Sequence, residues 1–274
     1  MIADSTRRLS MSARRRWFLA GAILACAPAV AAAPADVRTR EVVYRQGETV
    51  LQGLVAWDGA AAGKRPGVLV VHEWWGHNEH ARNQARRLAE AGYVGFAVDM
   101  FGKGKLAAHP KDAEAFVTEA MKDPAAIPAR FHAALDVLRR DPHVDPGRVA
   151  AVGYCFGGSV VLGMARSGAD LAAVVSLHGA LATQSPAGKG KVKARVLSIT
   201  GAADPMIPPE QVEAFRKEME AAGARFEAIT YPGVRHSFTN PDAGRHGIEA
   251  LAYDAEADRK SWAAMLELLR QVFP

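Results

Sequence analysis

Short uninterrupted apolar runs alternate along the chain with longer stretches in which apolar residues recur every three or four positions. The runs at residues 67–71, 93–99 and 149–152 read as buried strands of a parallel sheet, and the more mixed segments 171–177, 194–200 and 226–231 as further strands. The stretches at 78–91, 110–121, 127–140, 158–164, 209–222 and 250–272 read as helices; Ala81, Ala85, Leu88 and Ala89 mark one apolar face, Phe131, Ala134, Leu135 and Leu138 another. Gly92 and Gly223 stand where a left-handed residue closes a helix. Residues 36–57 follow a different rule, apolar and polar by turns around Gln46-Gly47-Glu48, which predicts an antiparallel hairpin at a sheet edge. Residues 60–66, 101–109 and 184–193 read as loops, and 141–147 as a turn. This order predicts an α/β fold, a mostly parallel, doubly wound sheet of about eight strands flanked by helices. Active groups are expected on loops at the strand C-termini.

The first thirty-five residues fall outside that pattern. Arg14-Arg15-Arg16-Trp17-Phe18-Leu19 is a twin-arginine signal, followed by an apolar run over 20–33 that is short for a membrane span. Ala33-Pro34-Ala35 fits a small-residue cleavage site, so the expected product is a soluble periplasmic chain, residues 36–274, forming one domain. Met11 is an alternative start. Cys26, after Ile23-Leu24-Ala25, is an alternative lipidation site, with leucine a poor fit just before the Ala-Cys pair. The signal holds five of the 34 basic residues and one of the 29 acidic ones, so without it the formal charge falls from +5 to +1. The basic excess is thus a targeting feature, and no basic stripe remains for nucleic acid. Of the two cysteines only Cys155 is left, which excludes an internal disulfide and a resolving thiol.

Around that cysteine the chain reads Gly153-Tyr154-Cys155-Phe156-Gly157, between the strand at 149–152 and the helix at 158–164. Gly-x-Cys-x-Gly at a strand-to-helix turn is the nucleophile-elbow pattern with cysteine in the serine position. The flanking glycines are required where a Cβ would meet neighbouring backbone, and N–H groups at a helix N-terminus stabilise a thiolate or an oxyanion. Asp204 and His236 lie just beyond later strands, in the chain order nucleophile, acid, histidine. A thiol needs a neighbouring imidazole to take its proton, and a carboxylate to fix the imidazole tautomer. Each residue alone has an ordinary reading: Cys155 as a structural cysteine, Asp204 as a turn starter, His236 as a surface histidine. Their joint placement at strand ends favours catalysis.

Oxyanion donors are expected from the backbone N–H groups of Phe156, after the nucleophile, and Trp74, in the loop after the strand at 67–71. Glu73 stands where a carboxylate can meet the thiol, as a base or as a group that keeps it protonated. The run His72-Glu73-Trp74-Trp75-Gly76-His77 is not a zinc-protease motif, because its histidines are five apart across a strand end. No metal or cofactor is expected, and His77 and His80 read as solvated.

With these residues in place the chain resembles the dienelactone hydrolases of the α/β-hydrolase superfamily. The resemblance spans essentially the whole chain after the signal, through residues 68–76, Asp99-Met100-Phe101-Gly102-Lys103-Gly104, residues 153–158, residues 201–204 and His236-Ser237-Phe238. It implies Cys155 as nucleophile, His236 as base, Asp204 as orienter and Glu73 as an activator of the thiol when substrate binds. It also implies cofactor-free hydrolysis of lactones or simple esters. The founding enzymes clamp a substrate carboxylate with arginines. One follows the catalytic histidine, where this chain has Thr239-Asn240; another lies in the segment matching 101–109, which here has lysines only. Arg235 precedes the histidine. These departures and the export signal speak against dienelactone itself.

The expected activity is hydrolysis of a small ester or lactone through a cysteinyl acyl-enzyme by a protein read as a monomer. A thioesterase or broad carboxylesterase is the alternative among enzymes, and a non-catalytic scaffold binding a small molecule is the alternative outside them. Specificity is expected in the loops at 101–109, 181–191 and 240–247.

Overall fold

In the computed structural model residues 35–274 are described; the export signal with its arginines and Cys26 lies outside the described residues. The edge hairpin forms as its alternation dictates. Strands β1 (Val37–Gln46) and β2 (Thr49–Asp58) pair antiparallel from Val37 opposite Asp58 to Gln46 opposite Thr49. The apolar runs become β3 (Arg65–Val71), β4 (Val94–Val98), β5 (Val144–Tyr154), β6 (Ala173–Leu177), β7 (Arg195–Gly201) and β8 (Phe226–Tyr231). One sheet results, in the order β1-β2-β4-β3-β5-β6-β7-β8; β2 meets β4 antiparallel, and every pair from β4 to β8 is parallel.

Helices cover both faces, which explains why the inner strands are mostly apolar and buried along their length. Along β3, Leu69 and Val71 face a core shared with α3 (Ala126–Arg140), α4 (Phe156–Arg166) and α5 (Pro209–Ala221). The intervening Val68 and Val70 face a second core shared with α1 (Glu79–Glu90) and α6 (Ala255–Val272). A further helix, α2 (Pro110–Met121), follows β4. After β3 the chain leaves toward β4, and after β5 toward β6. The carboxyl ends of β3 and β5 therefore flank the point where strand order reverses, where this class of sheet opens a crevice.

Two boundaries differ from the sequence pattern. The turn expected at 141–147 is partly strand: Arg65 and Pro66 pair with Val144 and Asp145, and Gly67 resumes pairing at Val149 after a bulge. The helix expected from residue 250 begins at Ala255, where the side chain of Asp254 accepts the Ala257 N–H and caps it. Residues 250–252 instead leave a turn and are bonded to the segment carrying His236, Leu251 forming an isolated bridge with it. No helix among the described residues is long and apolar enough to cross a membrane.

Candidate active site

Cys155 caps α4 at φ +52°, a left-handed conformation that a non-glycine residue adopts only when its surroundings impose it. Its N–H is held by the Leu177 carbonyl at 3.0 Å and by Nδ1 of His178 at 3.1 Å, while its carbonyl accepts the N–H groups of Gly158 and Ser159. The Gly157 N–H ties the turn to the His72 carbonyl at 3.1 Å. A Cβ on Gly153 would run into the Gly157 carbonyl, and one on Gly157 into the Val71 carbonyl. Both elbow glycines are thus demanded by close backbone approach.

Asp204 sits on the loop after β7 and His236 on the loop after β8, both buried. Nδ1 of His236 donates to Oδ2 of Asp204 at 2.6 Å, and the Met206 N–H donates to Oδ1 at 2.8 Å. The His236 backbone is clamped from the other side: its N–H reaches the Ala250 carbonyl at 3.1 Å, and the Ala252 N–H reaches its carbonyl at 3.0 Å. The late start of α6 thereby positions the imidazole. Nε2 is buried, has no hydrogen-bond partner, and opens with Cys155 on one cavity. Burial opposes a charge on His236. A thiolate at Cys155 and the bond to Asp204 outweigh it and raise the pKa to about 10.

That cavity, about 240 Å³, is also bordered by Trp74 and Phe156. Neither of their backbone N–H groups donates to a protein acceptor among the described hydrogen bonds, so both are free for a ligand. The structure brings together Cys155, His236, Asp204, Trp74 and Phe156.

It does not bring Glu73 onto the sulfur. This carboxylate is buried, with Oε1 accepting from the Ser237 hydroxyl at 2.7 Å and Oε2 from the Asn240 amide at 2.6 Å. Ser237 sits at φ +56°, which delivers its hydroxyl to Glu73. His77 and His80, expected in solvent, are buried. Burial lowers both pKa values, that of His77 to about 4. His77 precedes α1, and His80 lies on the inner face of that helix with Gln84 and Leu88, edge-on to Tyr154 at 5.2 Å. The four-residue spacing to Gln84 and Leu88 was the signal for that placement. No cluster of three His, Cys, Asp or Glu side chains suited to a metal occurs among the described residues.

A model of the dienelactone hydrolase family matches residues 51–273. The chain belongs to the dienelactone hydrolase family. A Salmonella typhimurium protein named "Putative carboxymethylenebutenolidase" is 31% identical over 224 residues, which cover 77% of this chain and 79% of that one. A dienelactone hydrolase-like promiscuous phosphotriesterase from metagenomic libraries superposes with TM-score 0.83 at 38% identity, covering 87% of this chain and 99% of that one. A dienelactone hydrolase from Anabaena variabilis shares the fold at TM-score 0.59 and 22% identity, over 84% of this chain and 97% of that one. The sheet and its flanking helices are an α/β-hydrolase fold, in a family of hydrolytic enzymes.

Within this dienelactone hydrolase framework, one residue escaped the sequence reading. His178, fully buried at the end of β6 with φ +42°, accepts the Cys155 N–H on Nδ1. Its Nε2 therefore carries the proton and donates to Oγ1 of Thr239 at 2.8 Å. Burial, then the neighbouring charge on His236, holds the pKa of His178 well below the usual histidine value, so the ring is neutral. Its signal was available: it directly follows a strand, as Asp204 and His236 stand on loops just beyond theirs. The departures noted in the sequence are also occupied. Thr239 serves His178 and Asn240 serves Glu73, while Arg235 donates to the Glu249 carbonyl at 2.7 Å.

Proposed function

We propose that the protein hydrolyses small carboxylic esters or lactones through a cysteinyl acyl-enzyme, with Cys155 as nucleophile, His236 as acid and base, and Asp204 as its orienter. The observation that carries this reading is one cavity holding Cys155 at the tip of a strained elbow beside a free Nε2 of His236, whose Nδ1 is fixed on Asp204. The thiolate attacks the carbonyl carbon, and the electron pair displaced onto oxygen is received by the N–H groups of Trp74 and Phe156. Each such donor is worth about 3–4 kcal/mol at the transition state. Collapse of the adduct expels the alkoxide, which takes the proton from Nε2 of His236. Water then attacks the thioester carbonyl, Nε2 accepts its proton, and the thiolate leaves with the C–S bonding pair. No cofactor is required. Glu73 would reach the thiol only by leaving Ser237 and Asn240. The twin-arginine pattern assigns this chemistry to the periplasm.

Hydrolysis of a short p-nitrophenyl ester, followed during iodoacetamide treatment, tests the reading. Activity should fall in proportion to alkylation of Cys155. Full activity after complete alkylation would remove the cysteine from the mechanism. Phosphotriester hydrolysis is a second reading, favoured by the phosphotriesterase described among the similar structures. Such triesters offer an uncharged electrophile to the same nucleophile.

His178 acts here as a positioning residue, because it touches the backbone of the nucleophile and not the substrate cavity. His178→Leu should lower kcat about tenfold with KM nearly unchanged, the size of one lost hydrogen bond. His178→Asn, whose amide oxygen can accept the Cys155 N–H, should recover part of the loss. A raised KM at constant kcat would instead make His178 a substrate-binding residue.

A further inference from the structure

The walls of the catalytic cavity differ in chemistry from its floor. Beyond Cys155 and His236, its lining comes from Val117 of α2, Ile207 beside Asp204, Leu251 of the segment clamping His236, and the faces of Trp74 and Phe156. Ser159 contributes a neutral hydroxyl, and no lysine or arginine lines the space. Two cations on nearby loops are engaged elsewhere. Arg235 is turned to the Glu249 carbonyl, and both oxygens of Glu119 hold the ammonium of Lys105 at 2.7 Å. The two polar side chains that follow His236 in sequence are equally engaged, Thr239 with His178 and Asn240 with Glu73.

The positive elements the hydrolase reading offers at the cavity are Nε2 of His236 and the N–H groups of its lining residues Trp74 and Phe156. All three are consumed at the reacting centre, by the leaving oxygen and the developing oxyanion. A second negative charge on the acyl portion would lie among Val117, Ile207 and Leu251, stripped of water and without a counter-ion. The thiolate of Cys155 adds repulsion.

Resting on the hydrolase reading above, we propose that this cavity selects uncharged esters and rejects those that carry a carboxylate on the acyl side. The selection is built from apolar walls and from a lining that holds no lysine or arginine, not from size. An isosteric pair is therefore the informative probe: p-nitrophenyl 4-methylpentanoate, which is neutral, and mono-p-nitrophenyl succinate, its carboxylate counterpart.

For the full protein the ratio of kcat/KM values should favour the neutral ester by about 100-fold or more. Met206, 44% exposed at the cavity edge, offers a foldable site for the converse experiment. Met206→Arg keeps the backbone N–H that serves Asp204 and should narrow the ratio about tenfold. A wild-type ratio near one, or one favouring the succinate, would overturn the proposal. Failure to turn over either ester would count against the hydrolase reading alone. Calorimetric titration of Cys155→Ala with 4-methylpentanamide and with succinamate then decides the present inference. Binding of the amide at least tenfold tighter supports it, and equal or tighter binding of the anion overturns it.

Discussion

Replacing Cys155 by alanine should lower ester turnover by about 10⁴-fold or more while leaving the fold intact. Loss of a covalent nucleophile removes the acyl-enzyme route outright, and what survives is the contribution of the oxyanion donors and binding. Alanine retains the backbone that makes the turn, since the N–H of residue 155 still meets Leu177 and His178. Initial rates together with far-ultraviolet circular dichroism check both halves; undiminished turnover would end the mechanism. The same variant also tests the electrostatics. His236 is raised to about 10, against burial, by the thiolate and by Asp204. An unfolded histidine titrates near 6.5, so the folded protein holds this proton more tightly. The resulting stabilisation is complete below about pH 6.5 and is lost as the pH rises through about 10. Without the thiolate the His236 pKa should fall. ¹⁵N spectra at pH 8 should show an imidazolium in the wild type and a neutral ring in Cys155→Ala, and the decline in stability between pH 7 and 10 should flatten.

Asp204→Asn should cost about 10³-fold in kcat or more, with little change in shape. Asparagine can keep the Met206 N–H on its oxygen but presents an amide donor to Nδ1 of His236. Nδ1 must then accept, the ring proton moves to Nε2, and the nitrogen facing Cys155 can no longer take a proton. A wrong tautomer in an otherwise intact triad is worth about 10⁴ in a serine enzyme. A thiol ionises more readily than a hydroxyl, so the smaller figure is expected here. Alkylation of Cys155 by iodoacetamide should slow in parallel, since it reads thiolate without needing an ester. A loss in kcat below tenfold with unchanged alkylation would leave Asp204 a structural turn residue.

The chain's own pattern was sufficient for most of this architecture. A strand covered by helices on both faces has no polar side, so 67–71 and 149–152 announce themselves as apolar runs, and the hairpin over 36–57 announces its exposed edge by alternation. The elbow was legible because two glycines at fixed offsets bracket a cysteine between strand and helix, and the loops that follow later strands decided between its structural and its catalytic reading. Asp204 and His236 were legible because loops at strand carboxyl ends converge on one side of a parallel sheet. What the sequence could not express were partners chosen by the fold from far along the chain. Glu73 is claimed by Ser237 and Asn240, 164 and 167 residues away, and is not brought onto the sulfur. His80 is buried because α1 packs on the sheet. The helical pattern from residue 250 yields five residues to non-helical backbone, which supplies two hydrogen bonds to His236. Local periodicity records which face of an element meets the core. Which polar group satisfies which buried charge depends on loops meeting in space, and only the tertiary structure decides that.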